Sequence, residues 1–457
     1  MKSPYSYYVE SFDLKDRPRR FLESFAAILK NSNYGFLLDT YSRTSTKCAR
    51  CSASCQVFQA TQDIKHIPCY RSELVLRIYR RYFTFAGMIK ARLYNSFQLT
   101  DDYLDEMAES LYQCTACRRC KTTCPMGIDH GLITHLARWA LAEIGIAPKA
   151  LVVATREQVT GRTHNTSAIP VPALEDTCQF LEEELLEQYQ HPVKFPIDVE
   201  GAEMVFFPAV SDYLLEPDTL MGNAAVMYAT GSSWTIGTRY YDGINYGLFY
   251  SDRLWHQIVR MEVEELRRLK SRVILIGECG HASRAAKLGV PTFCGGKKAP
   301  PVVNIMEYTF RMLDEGRLKV RSKTIQERVT YHDPCNIARS GWIIHQPREI
   351  LKAICADYVD MKPAGTMNIC CGGGGGTVSI DEIRKFRTGP GGKVKAEQIR
   401  KTGAKYLVAP CANCKKQLRE LCEDNGLQDV EVVGLHDLVI KAIEFGMAPK
   451  VTPKEVE

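Results

Sequence analysis

The spacing of apolar and polar positions changes character partway down the chain. Early on it is helical. Residues 72–112 hold few Gly or Pro, and LVLRIYRRYFTFAGMIKARLY and DDYLDEMAESLY bring apolar residues back with helical periodicity. GLITHLARWALAEIG, residues 131–145, continues the pattern. Residues 160–200 read as a linker, with TGRTHNTSAIPVP and QHPVKFP as breakers around one acidic helix, LEDTCQFLEEELLEQY.

From about residue 203 short apolar strands alternate with helices. EMVFFPAV and AAVMYAT read as strands, DRLWHQIVRMEVEELRRLK as a helix, and RVILIGE as a strand. The order predicts an α/β domain. It returns as strands VTYHDPC and MNICCG, a helix near GGKVKAEQIRK, and the strand YLVAPC. VVNIMEYTFRML and VVGLHDLVIKAI close the two copies as strand plus helix. The stretches read as an internal repeat. Matching strand ends puts Cys411 on Cys279, Cys414 on Ala282, Cys335 near Ala209, and Cys370-Cys371 near Ala229-Thr230. Pseudo-symmetric halves normally meet at an interface, where a shared site can lie.

At 457 residues the chain suggests about three domains, and 45% apolar with 25% charged residues is an ordinary globular balance. A net charge of +6 gives no reason to expect a nucleic-acid partner. No apolar run is long enough to span a membrane. Arg19-Arg20-Phe21-Leu22 loosely resembles a twin-arginine export signal, but Glu23 and Lys30 break the apolar stretch after it. The expected location is therefore the cytoplasm, with any contact at the inner membrane made through a partner. Structural disulfides are rare there, so 18 cysteines point to metal ligation or redox chemistry.

Cys114, Cys117, Cys120 and Cys124, followed by Pro125, form C-x2-C-x2-C-x3-C-P, the spacing of a [4Fe–4S] site. Zinc would not need the triple run. The cysteine before proline usually serves a neighbouring cluster. The expected ligands of one cubane are therefore Cys48, Cys51, Cys55 and Cys124, and of the other Cys69, Cys114, Cys117 and Cys120. Cys335, Cys370, Cys371, Cys411 and Cys414 form a second group, each expected at a strand end, where an α/β sheet opens a crevice. Five soft anionic ligands call for an iron–sulfur assembly. Gly372 to Gly376 would let backbone N–H groups approach its sulfides; no GK[ST] follows, against a phosphate loop. Cys178, Cys355 and Cys422 read as buried fillers and Cys294 as a turn residue. His332 reads either as a donor to a cluster sulfur or substrate, or as a structural histidine. The aromatic, Gly-rich SSWTIGTRYYDGINYGLFY reads as a core edge, a pocket wall or a subunit contact.

HDPCNIARSGW, PREIL, CCGGGGG and APCANC resemble the cysteine-rich "CCG" domain of heterodisulfide reductase catalytic subunits. CTACRRCKTTCPMGI resembles the helical ferredoxin module of that family, and INYGLFYSD and GECGHASR resemble the related subunit of sulfate-reducer membrane redox complexes. The resemblance spans about residues 45–447. It implies an α+β multidomain chain: an N-terminal helical extension (1–44), a helical two-[4Fe–4S] ferredoxin domain (45–150), a linker with a helix (151–200), a degenerate CCG-type α/β half (201–322) and a CCG-type half with the five-cysteine site (323–457). It also implies two cubanes and one non-cubane [4Fe–4S] cluster on the five cysteines. The family's best-studied members carry two complete CCG motifs; here only Cys279 remains in the first. The implied function is an iron–sulfur subunit of an anaerobic redox complex, moving electrons between the cubanes and a disulfide/thiol-type site. The alternative is a pure relay subunit of a flavin-linked or aromatic acyl-CoA reductase complex. Partners would be flavin, ferredoxin, or membrane quinone/haem subunits. The Glu278-Cys279-Gly280-His281 turn is expected near the five-cysteine site. There Cys279 would be an attacking or receiving thiol, its pKa lowered by protonated His281, and Glu278 would orient that histidine. The alternative is an inert helix-capping turn.

Overall fold

The structure, a computed structural model, describes residues 15–94 and 97–446. Residues 1–14 of the expected N-terminal extension and 447–457 of the last half lie outside the described residues. Up to Ala147 the chain is a helical bundle. Helices Arg17–Lys30, Pro68–Tyr82, Asp101–Tyr112 and His130–Glu143 close over a core that includes Phe21, Phe25, Ile78, Met107, Ile133 and Leu141. The helix starts are written locally. Thr100 accepts the Tyr103 N–H and Asp129 accepts the Leu132 N–H, satisfying donors that a helix leaves open at its first turn.

A second, continuous core begins at Leu151 and runs through the rest of the chain. Residues 151–200 are packed rather than free: helix Val171–Tyr189 buries Leu174, Cys178, Leu181 and Leu185. Two four-stranded parallel sheets follow. The first holds β1 (Met204–Phe207), β2 (Trp234–Thr235), β3 (Val273–Ile276) and β4 (Val302–Asn304), in the order β2-β1-β3-β4. The second holds β5 (Ile325–Tyr331), β6 (Cys355–Asp360), β7 (Tyr406–Val408) and β8 (Glu431–Val433), in the order β6-β5-β7-β8. The identical orders establish the repeat.

Two of the expected strands are not strands. AAVMYAT lies in helix Pro217–Ala229, which starts at a proline and is buried without a break from Thr219 to Met227. A helix covered on all sides has no polar stripe to reveal its period. The second strand of the later half is β6, not MNICCG.

The halves face each other about a pseudo-two-fold axis. Helix Pro217–Ala229 packs on Leu435–Ala442, and its counterpart His345–Ile354 packs on Ile305–Asp314. Gly222 permits the first crossing: a Cβ there would stand 2.2 Å from the His436 carbonyl oxygen. At the same seam the buried Glu278 carboxylate accepts the Leu435 N–H at 3.1 Å, the His436 N–H at 2.7 Å, and the His436 ring at Nδ1. Glu278→Ala leaves two helix-start donors and an imidazole unpaired in the seam. We expect a loss of about 3 kcal/mol, seen as earlier chemical unfolding, with Glu278→Gln retaining part of it.

Candidate iron–sulfur site

The loop of Cys114, Cys117 and Cys120 is wound tightly by left-handed backbone at Ala116 (φ 49°) and Arg118 (φ 62°). The Ala116 N–H points at Cys114 Sγ at 3.4 Å. Cys55 lines the same cavity as these three. Cys69 does not: its side chain meets Cys51. The structure thus exchanges Cys55 and Cys69 relative to the expected grouping. The chain between them explains it. Helix Gln56–Thr61 and a 3-10 turn at Ile64–His66 fold it back, so Cys69, in the first turn of helix Pro68–Tyr82, returns beside Cys51. Cys48 is exposed, so the Cys48/Cys51/Cys69 set reaches the surface.

The five-cysteine group is buried. Cys335 opens the short helix Cys335–Ala338 beyond β5, and Cys411 precedes helix Ala412–Asp424, which carries Cys414. Cys370 and Cys371 sit in irregular chain instead of at a strand end. That segment is held by side chains. Arg339 Nη1 donates to Asn368 O (3.1 Å) and Asn368 Oδ1 (3.0 Å), and Asn368 Nδ2 donates to Asp333 O (2.6 Å). The Gly372 and Gly373 N–H groups point at Cys370 and Cys371 Sγ at 3.5 and 3.4 Å. Cys371 and Cys414 Sγ lie 3.4 Å apart, with His332 beside Cys371. Gly374 must be glycine for packing reasons, since a Cβ would meet the Thr115 carbonyl oxygen at 2.4 Å. That approach joins the two modules, and so does a side-chain contact between Cys117 and Cys370. Arg138 spans the same seam, donating to Gly375 O at 2.8 Å and to Cys114 O at 2.7 Å.

In the degenerate half, Cys279 precedes helix Gly280–Phe293 just as Cys411 precedes its helix, and the two side chains meet across the axis. The other matches shift. Helix Asp212–Leu215 is the counterpart of Cys335–Ala338, so Ser211 and Asp212, not Ala209, take the place of Cys335. The CCG segment follows β6, and the corresponding segment after β2 is the aromatic loop, not Ala229-Thr230. Tyr246 and Phe249 of that loop lie against the His281 ring at 5.6 and 5.2 Å between centroids. With Phe249 as one wall, the cavity over Cys335, Cys371, Cys411 and Cys414 also takes in His281 and Asn413.

Two expected roles change here. Glu278 is engaged by His436 and does not orient His281. Burial drives the His281 pKa down to about 4 and pushes the Cys279 thiol well up, so a protonated His281 does not activate Cys279. Neutral His281 instead stands with Nδ1 3.2 Å from Cys279 Sγ.

Thiolate-bound clusters are anionic, and the structure buries cations beside these sulfurs. Arg71 lies against Cys55 and Cys114, Arg339 against Cys117, Cys335 and Cys370, and Lys395 near Cys371 and Cys370. Burial brings Lys395 down to about 8, against the opposing pull of Cys371, Cys370 and Asp333. Among the described residues, Arg71 Nη2, Arg339 Nη2 and both His332 nitrogens are buried without a hydrogen-bond partner. Buried donors of this kind normally require one. Convergent thiols, N–H groups aimed at sulfur and unsatisfied cationic donors together fit iron–sulfur clusters. Sequence spacing gives no sign of any of these cations. Behind Cys414, the fully buried Lys415 donates to Thr219 at 2.7 Å and pairs with Glu216 at 3.1 Å. Burial opposes its charge, but Asp212, Asp437, Glu216 and Glu278 around it outweigh that and keep it protonated.

The comparisons agree with this architecture. Residues 46–128 match a 4Fe-4S dicluster domain and residues 329–419 a cysteine-rich CCG domain. The two domains in this order are those of an iron–sulfur oxidoreductase subunit of heterodisulfide reductase-like complexes, which the chain resembles. It is 27% identical to an Hdr-like menaquinol oxidoreductase iron-sulfur subunit 2 of Archaeoglobus fulgidus, over 94% of this chain and 84% of that one. It is 24% identical to a subunit of the dihydromethanophenazine:CoB--CoM heterodisulfide reductase of Methanosarcina barkeri, over 87% of this chain and 93% of that one. An EtfAB:quinone oxidoreductase of Syntrophomonas wolfei is 23% identical over 66% of this chain and 41% of that one. Among the described residues no helix is long and apolar enough to cross a membrane.

Proposed function

We propose that this chain is the electron-carrying and disulfide-handling subunit of a multi-subunit redox complex. Cys48, Cys51, Cys69 and Cys124 would hold an outer cubane. Cys55, Cys114, Cys117 and Cys120 would hold a middle one, and the five-cysteine set a buried non-cubane cluster. When bound, the clusters supply electrons one at a time. The observation that carries the reading is the nearly unbroken run of sulfur neighbours from the surface inward. Cys51 meets Cys69, Cys55 shares a cavity with Cys117, Cys117 meets Cys370, and Cys371 lies by Cys414 and Cys411 by Cys279.

Reduction of a disulfide takes two electrons and two protons. Cys279 would attack one sulfur of the substrate while His281 Nδ1 takes the thiol proton. The second sulfur leaves as a thiol on receiving that proton from the histidine. Asn413, 3.3 Å from His281 Nδ1, would help hold the ring. The two electrons then cleave the bond between Cys279 and the bound half, and two protons from solvent complete that half's thiol and restore the Cys279 thiol. The relatives' names suggest a quinone-linked donor, and we extend that to this chain as the partner class.

The complete burial of Cys279 favours a second reading, a pure relay with no substrate of its own. One experiment separates the two. Cys279→Ala should keep the iron content and abolish disulfide turnover by the intact complex. Unchanged turnover sinks the thiol role and leaves the relay.

A further inference from the structure

Helix Phe85–Leu93 is turned inside out. Among its described side chains none is buried, and it faces the body with the small residues Gly87 and Ala91, both only half-buried. Gly87 is required there: a Cβ would come within 1.8 Å of the Arg80 carbonyl oxygen. The large apolar residues point the other way. Phe85 is 75% exposed, Leu93 68% and Tyr94 72%, with Met88 and Ile89 also in solvent. Residues spaced by three and four share one face of a helix, so Phe85, Met88, Ile89 and Leu93 make a continuous stripe. A nine-residue helix with no buried side chain does not sustain itself. A contiguous apolar patch of this kind marks an interaction surface.

The charge pattern says what covers it. From Leu74 to Thr100 the chain carries Arg77, Arg80, Arg81, Lys90 and Arg92 and no Asp or Glu. Arg80 is paired with Glu73, whereas Lys90 and Arg92 have no ion pair among the described residues. Both are exposed; Lys90 flanks the stripe, and Arg92, four residues after Met88 and three after Ile89, lies on it near its C-terminal end. The helix is a protruding rod, not a groove, with an aromatic residue at each end. An apolar face whose only charged neighbours are cations, one of them a long arginine able to reach the headgroups, with aromatic ends, suits the boundary between headgroups and acyl chains of an anionic bilayer.

We propose that Phe85–Leu93 is a monotopic anchor that lies in the surface of an anionic membrane. It would add a direct lipid contact to whatever a membrane partner supplies. It would also fix the orientation of the electron path. The helix follows Pro68–Tyr82, whose first turn carries Cys69. The outer thiol set would then lie at the opposite end of that helix from the anchor.

The test uses the full chain with its clusters loaded, mixed with vesicles of phosphatidylcholine alone or of phosphatidylcholine with phosphatidylglycerol, and read by flotation. The wild type should float with the anionic vesicles and much less with the neutral ones. F85S/I89S/L93S should lose at least about tenfold in partitioning while keeping iron content and circular dichroism, since all three side chains are in solvent. K90Q/R92Q should lose only the preference for anionic lipid. The proposal is overturned if the wild type stays at the bottom with anionic vesicles, or if the triple serine variant floats like the wild type. It is equally overturned if the wild type ignores lipid but the triple variant sheds a co-purifying subunit, because the stripe would then be a protein contact.

Discussion

Cys371→Ser should leave a chain with about eight irons in place of about twelve, intact cubane signals, and no disulfide turnover in the complex. The size of the effect follows from where Cys371 sits. Its sulfur lies 3.4 Å from Cys414, beside Cys370 and His332, and receives the Gly373 N–H. It is therefore central to the five-thiol group, and a harder serine oxygen is a poor substitute for thiolate at such a site. The fold should survive, because β5–β8 and their helices are held by aliphatic core residues such as Val329, Leu351, Leu407 and Leu438. Far-ultraviolet circular dichroism checks that point, and iron analysis with electron paramagnetic resonance reads the rest. A variant that still held about twelve irons would show that Cys371 is not a ligand.

Cys55→Ser should abolish turnover by a different route. Cys55 shares its cavity with Cys114, Cys117 and Cys120, and Arg71 lies against it. Its removal would take a ligand from the proposed middle cluster and leave the buried guanidinium without its anionic partner, a change that costs about 3–5 kcal/mol when a buried pair is broken. Loss of a structural metal site also removes folding energy from the helical module. The expected signature is loss of the same cubane signal that Cys114→Ser removes, with the signal that depends on Cys48 retained. If Cys55→Ser and Cys48→Ser erase one and the same signal, the grouping expected from sequence spacing is right and the structural one is wrong.

How much of this can be read from the chain alone depends on how local the signal is. The run from Cys114 to Cys124 is a local loop, and its spacing identifies its chemistry directly. The repeat is legible because β3 with Cys279 and β7 with Cys411 each end in the same strand-to-helix turn. Helix Pro217–Ala229 reads as a strand because burial on every side erases the polar stripe that gives a helix its period. The exchange of Cys55 and Cys69 depends on how residues 56–68 fold back, and ligand spacing carries no information about that return path. Arg71 and Arg339 look like any other basic residues until tertiary packing surrounds them with sulfur. Lys415 is different: it falls on the helical phase of Cys411, Cys414, Leu418 and Cys422, so its position alone is enough to place it inward.

Three iron–sulfur clusters in series within one chain would fix both its iron content and its spectra. The most direct measurement is iron content and stepwise reductive titration of the anaerobically purified full-length protein, followed by electron paramagnetic resonance. Expected are about twelve irons per chain, two cubane signals that broaden each other, and a third signal that disappears in Cys371→Ser. About eight irons, with Cys370 and Cys371 free to react with a thiol-alkylating reagent in the native protein, would contradict it.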